Sequence, residues 1–233
     1  MGLEATTTRD KLFLAGISVF AQYGYAGARV REICKRADSS NMNAINYYFG
    51  GKEKLYQAIL ELMFAELGNR MRLLGSSENN KTPEERLCDL VRSYCAMLFA
   101  GGEVGSEILA IFNNEMAQPS EFLNELIDKH MVGQNEAILD LVGELIGKDA
   151  PRWLLQDSAV SVFSQIIYYS STWVVYRRVH PDHPGMEAYH QHLAEHVCRF
   201  SLAGLREMKH AFEANALIAP NWNPRRTLCK RNE

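Results

Sequence analysis

VREICKRADSSNMNAINYYFGGKEKL, residues 30–55, decides how the rest of the chain is read. Val30, Ile33, Cys34 and Ala37 recur at i, i+3, i+4 and i+7, the spacing of one buried helix face, and leave Arg29, Arg31, Lys35 and Arg36 toward water. Asp38, Ser39, Ser40 and Asn41 follow, with short polar side chains that cap the exposed N–H groups of a following helix. A second helix is expected over about Met42–Phe49. Helices below roughly 12 residues are marginal alone in water, so packing through Ala44, Ile45 and Phe49 has to hold it. Its other face presents Met42, Asn43, Asn46 and Tyr47 beside the basic residues. An asparagine amide can bond an adenine edge at two atoms and a tyrosine can reach a phosphate, so this composition suits a DNA major groove.

Before this stretch, Thr6, Thr7 and Thr8 offer caps for a first helix ending near Gly24, with Leu12, Ala15, Val19, Phe20 and Tyr23 on its apolar face. After it, Gly50 and Gly51 break the pattern. A helix from Lys52 to about Leu74 follows, its apolar side carried by Leu55, Ala58, Ile59, Leu62 and Met63. Residues 1–55 hold eight Lys and Arg against five acids, a local charge of +3, while the remainder carries 17 basic and 23 acidic residues, or −6. Phosphate affinity follows the local field rather than the total charge. The asymmetry fits a DNA-reading head on an acidic body.

The motif AINYYFGGKEKLY, preceded by VREICKRA and by a helix containing FAQYGY, resembles the helix-turn-helix of the TetR family of bacterial transcriptional regulators. The N-Y-Y-F-G-G-K-E form, with Asn46 where most members carry Tyr, is most similar to the CecR-like branch. The likeness covers about the first 65 residues. Counted back from Phe49, the turn Asp38–Asn41 is one residue longer than the usual A-G-x-S turn and lacks its glycine, and Arg29 stands where the family usually has Ser or Thr. By position, the resemblance assigns Met42, Asn43, Ala44 and Asn46 to base edges and Arg31, Tyr47, Tyr48 and Lys52 to phosphates. It implies a dimeric, ligand-responsive regulator, most simply a repressor that binds a palindromic operator and releases it when a small-molecule effector binds.

The remaining sequence reads as helix throughout, with no alternating strand run. Gly75–Lys81 is expected to be a linker. Thr82-Pro83-Glu84-Glu85 is a capping box with proline at the first helical position, opening a helix to about Ala100. Further helices are expected at about Ser106–Ala117, Glu121–Ile146, Trp153–Val179 and Met186–Phe212. The fold class is therefore all-α: a helix-turn-helix domain at 1–55, a helical effector-binding and dimerisation domain at 56–214, and a mobile basic tail at 215–233. The N-terminus is polar and reads as no secretion signal, and no stretch is apolar enough for a bilayer. A soluble cytoplasmic protein with no membrane partner is expected, its five scattered cysteines reduced.

The last two long helices carry much apolar surface: Val160, Phe163, Ile166, Ile167, Trp173, Val174 and Val175 in one, Leu193, Val197, Phe200, Leu202 and Leu205 in the other. Plain core packing would explain it, but the resemblance implies a homodimer through a four-helix bundle, as a protein reading two half-sites requires. An effector pocket is likewise implied. Tyr94, Phe112, Asn113, Glu115, Met116, His130, Gln165 and Tyr169, polar or adaptable residues on otherwise buried faces, are its candidate lining. His192 and His196 lie i, i+4, but zinc needs about four ligands and only this pair shares a face, so neither a metal nor another cofactor is expected. No catalytic motif is present, and the chain is not read as an enzyme. The rival reading is a metal-dependent helical sensor or enzyme using the His-rich segment.

Overall fold

Two reciprocal caps fix where two helices begin, one in the head and one in the body. Thr7 Oγ1 accepts the Asp10 N–H at 3.2 Å while the Asp10 carboxylate accepts the Thr7 N–H at 3.0 Å. Thr82 and Glu85 repeat the exchange at 3.2 and 2.8 Å. Each box satisfies two helix N–H groups that otherwise lack partners. The computed structural model describes residues 6–75 and 80–218, and among these every regular element is a helix. Residues 76–79 of the expected linker, 219–233 of the expected tail, and Cys229 lie outside the described residues.

Helix α1 (Thr8–Gly27) kinks at Gly24, which takes φ 65° and ψ 174°, and α2 (Val30–Arg36) buries Ile33 and Cys34 as the spacing requires. Asp38 adopts φ 52° and occupies the left-handed position usually filled by glycine. The Ser39 N–H then reaches back to Cys34 O at 2.9 Å and the Asp38 N–H to Lys35 O at 3.1 Å. This is a Schellman termination, and a short polar residue is among the few non-glycines that tolerate it. The extra residue of the turn is absorbed before α3 (Ala44–Phe49), which starts two residues later than expected. Met42 and Asn43 form a turn held by Asn41, whose Oδ1 accepts the Asn43 N–H at 2.9 Å and whose carbonyl accepts the Ala44 N–H at 3.1 Å.

The body comprises α4 (Lys52–Gly75), α5 (Pro83–Phe99), α6 (Gly102–Ala117), α7 (Leu123–His130), α8 (Val132–Ile146), α9 (Arg152–Val179) and α10 (Met186–Glu213). Two sequence readings change. Helix α6 begins at Gly102 rather than Ser106, because Gly102 supplies φ 61° at a corner where α5 and α6 are bent by 99°. The single helix expected over Glu121–Ile146 is broken at Met131 (φ −117°). Its halves serve different cores: Leu123 and Leu126 of α7 pack with the head, and Ile138, Leu139, Val142 and Ile146 of α8 with the body.

Those two cores are joined through α4. Leu55, Tyr56, Ile59, Leu60, Met63 and Phe64 belong to the cluster that holds α1–α3, and Leu67 belongs to the cluster of α5, α8, α9 and α10. The head cluster also takes in Ile111 of α6. The described cysteines are free. No single helix among the described residues is long and apolar enough to cross a membrane.

Where α4 and α7 meet, a Cβ on Gly68 would lie 2.4 Å from the His130 carbonyl oxygen, so only glycine allows the approach. Gly68→Ala should destabilise the protein by about 1–3 kcal/mol, the usual cost of overpacking. In urea unfolding this should appear as a lower midpoint with an unchanged slope.

Candidate DNA interface and effector cavity

Helix α3 divides its residues sharply between core and solvent. Ile45 (0% exposed) and Ala44 (3%) enter the head cluster, while Tyr47 (79%) and Met42 (49%) stand outward with Asn43, Asn46 and Tyr48. Asn46 Nδ2 donates to Asn43 Oδ1 at 3.0 Å, which fixes the two amides side by side on the open face. The Tyr47 and Tyr48 rings pack edge to face, 4.9 Å apart. Phe49 anchors the far end against Phe13 and under the Arg9 guanidinium. Arg29, Arg31, Lys35 and Arg36 are all exposed, so the basic groups border this face as their spacing predicts.

Two assignments are corrected here. Ala44 cannot serve as a base contact, because it is buried in the core, the packing role also expected of it. Lys52 does not offer a free cation: its Nζ donates to the carbonyls of Tyr25 at 2.9 Å and Ala28 at 3.1 Å and lies 4.5 Å from the centre of the Tyr25 ring. The lysine at the start of α4 thus closes the connection between α1 and α2. Lys54, two residues further on, is exposed.

A cavity of about 280 Å³ opens between α4, α5 and α6. Met63, Phe64, Leu67, Met97, Leu98, Val104, Ile108, Leu109 and Phe112 supply an apolar wall, and Tyr94 and Glu66 bring the polar side chains. Of the eight residues expected to line a pocket, Tyr94 and Phe112 do so. The other six hold helices together or lie elsewhere. Asn113 meets the Ser170 carbonyl and the Ser171 hydroxyl, both at 3.4 Å. His130 Nε2 lies 2.7 Å from Glu61, and Gln165 donates to Ser201 at 3.0 Å. Tyr169 packs edge to face on Tyr176, and Met116 is half exposed at the surface.

Glu115 is the most consequential of these. It is 2% exposed, accepts the Tyr56 hydroxyl at 2.5 Å, and takes the Ser120 N–H and hydroxyl at 3.1 and 2.9 Å. Burial, and then this carboxylate, push the Tyr56 hydroxyl far above the usual tyrosine range. One turn-pair earlier on the same helix, Glu107 accepts the Ser18 hydroxyl at 2.5 Å. Helix α6 therefore lines the cavity with Val104, Ile108 and Phe112 and grips α1 and α4 with Glu107, Ile111 and Glu115.

Helices α9 and α10 leave an apolar strip uncovered: Val160, Tyr168, Val175 and Val179 on α9 and Phe200 on α10, each at least 60% exposed. By contrast Ile166, Leu193, Val197 and Leu205, expected on the same surface, are buried in the body. Among the described residues, no group of three or more His, Cys, Asp and Glu is placed to hold a metal ion.

The chain matches two family models. Residues 12–59 match that of the bacterial regulatory proteins of the tetR family, and residues 83–205 match the C-terminal domain of the HTH-type transcriptional dual regulator CecR. The HTH-type transcriptional repressor NicS of Pseudomonas putida is 36% identical over 91 residues, which is 38% of this chain and 40% of that protein. The chain thus matches only about two-fifths of the length of its first curated relatives. Among solved structures, the fatty acid degradation regulator FadR from Bacillus halodurans has the same fold, with a TM-score of 0.63 and 20% identity over 87% of this chain and 98% of that one. FadR from Bacillus subtilis, solved in complex with stearoyl-CoA, gives a TM-score of 0.58 and 19% identity over 81% and 96%.

The inward Lys52 ammonium makes a prediction that separates its two roles. Lys52→Ala should lower the stability of the DNA-free protein by about 1–2 kcal/mol, since two carbonyls lose a charged donor. A lysine serving only phosphate would leave thermal unfolding without DNA unchanged.

Proposed function

The chain belongs to the tetR family of bacterial transcriptional regulators, in the branch with a CecR-type C-terminal domain, and on that premise we propose that it is a dimeric cytoplasmic repressor whose operator binding is relieved by a small-molecule effector. The observation that carries this reading is the outward face of α3, where Met42, Asn43 and Asn46 stand free of the core beside exposed basic residues. Paired amides suit bidentate contact with adenine in the major groove. Arg31, Tyr47 and Tyr48 would meet phosphates, with Lys54 in the place first given to Lys52. The division into a head at 1–55, a body at 56–214 and a tail at 215–233 is kept as part of the proposal.

The uncovered strip on α9 and α10 supports a homodimer. A second copy would bury Val160, Tyr168, Val175, Val179 and Phe200 and would hold two heads at the spacing of two half-sites, about 34 Å apart. For regulation, α6 is the connecting element: a molecule in the cavity presses on Val104, Ile108 and Phe112, and the same helix fixes α1 and α4 through Glu107 and Glu115. Two heads that shift relative to one another lose one half-site, and the coupling is a free energy shared between cavity and DNA.

Selection from random double-stranded DNA should enrich a palindrome. Against it, Asn46→Ala should lose about 1–3 kcal/mol of specific affinity and relax base choice at its position in each half-site. Unchanged affinity and unchanged sequence preference in that variant would remove α3 as the reading element.

A further inference from the structure

The cavity wall identifies what kind of molecule it accepts. Val104, Ile108, Leu109 and Phe112 of α6 are only partly buried, although they are apolar and lie in the interior angle between α4, α5 and α6. Each lines the cavity, while Val104, Ile108 and Phe112 also pack against the head cluster. An apolar cavity of about 150 Å³ takes benzene, so one of about 280 Å³ suits a body of roughly ten to twelve non-hydrogen atoms by the same measure.

Within this wall Tyr94 is 7% exposed, and its hydroxyl makes no hydrogen bond to a described residue. Its ring is steadied edge to face by Phe163 at 5.4 Å. Burial alone pushes the hydroxyl up to about 12, so it stays protonated and able to donate. The hydroxyl is reached from the cavity rather than sealed in the protein, so an acceptor that enters the cavity can take its hydrogen bond in place of water. Glu66, the charged side chain of the lining, already takes part in an interaction of its own. A free carboxylate or phosphate entering here would lose its hydration beside an acid and an apolar wall.

Resting on the reading of this cavity as the effector site, we propose that the effector is a small uncharged molecule, mostly apolar, with one oxygen acceptor that takes the Tyr94 hydrogen bond. The ligand enters with its apolar body against α6 and its oxygen toward α5. The volume favours a short ligand, and the apolar wall favours an uncharged one.

Four probes sharing one skeleton test this by calorimetry on the full chain without DNA: 4-phenylbutan-2-one, butylbenzene, 4-phenylbutanoate and 4-phenylbutylamine. The ketone should bind at least tenfold more tightly than the carboxylate or the amine. Tyr94→Phe should weaken the ketone by about threefold to tenfold, the range of one neutral hydrogen bond, and leave butylbenzene unchanged. Gly105 lines the cavity and a Cβ there meets nothing within 4 Å, so Gly105→Leu should remain folded and abolish binding of all four. Equal or tighter binding of the carboxylate or amine would overturn the proposal, as would equal loss of ketone and butylbenzene in Tyr94→Phe, or no binding by any probe. These readouts are taken without DNA, so a failed operator selection would count against the regulator reading while leaving the ligand class standing.

Discussion

A carboxylate removed from water at the boundary of two cores constrains this molecule more than any other group. Glu115 sits in the interior, where an ionised side chain is strongly disfavoured unless its oxygens are satisfied. Its three hydrogen bonds, one from Tyr56 and two from Ser120, meet that demand only while α6, α4 and the turn before α7 keep their present positions. Tyr56 in turn packs against Phe20 and Tyr25 of α1, with ring centres 4.8 and 4.9 Å away. The head is therefore oriented by a polar contact from the body rather than by apolar packing alone, which tolerates sliding.

The same helix is under-packed at its other end. Val104, Ile108, Leu109 and Phe112 face the cavity there, and the corner with α5 depends on glycine: a Cβ at Gly101 would lie 2.7 Å from the Gly105 backbone. A helix tightly bonded at one end and loosely packed at the other is suited to transmit occupancy of the cavity. On the proposed reading, a molecule filling it would move or stiffen the loose end, and the bonded end would carry the displacement to α1 and α4. The division follows from the faces of one helix: Val104, Ile108 and Phe112 toward the cavity, Glu107, Ile111 and Glu115 toward α1 and α4.

Much of the fold was legible because its signals are local. Capping boxes at Thr7 and Thr82 and the i, i+3, i+4 rhythm place most helices within a few residues. What escaped is set by tertiary contact. Ala44, expected both to pack and to touch a base, is taken up wholly by the core. Lys52 turns inward because the carbonyls of Tyr25 and Ala28 end near it, a meeting of residues more than twenty positions apart. Asn113, Glu115, His130 and Gln165, polar residues on otherwise buried faces, tie helices to one another. The cavity wall of Val104, Ile108 and Leu109 has the composition of ordinary core, so no local signal distinguishes it.

Reciprocity gives the most direct test of the central claim, that cavity and DNA-reading head are coupled through α6. If a cavity ligand weakens operator binding, the operator must weaken ligand binding by the same factor. Calorimetric titration of 4-phenylbutan-2-one into the protein, alone and saturated with its selected operator, measures that factor from the ligand side. The account predicts weaker ketone binding in the presence of operator, with the difference lost in Glu115→Gln. Equal ketone affinity with and without operator in the native chain would contradict it.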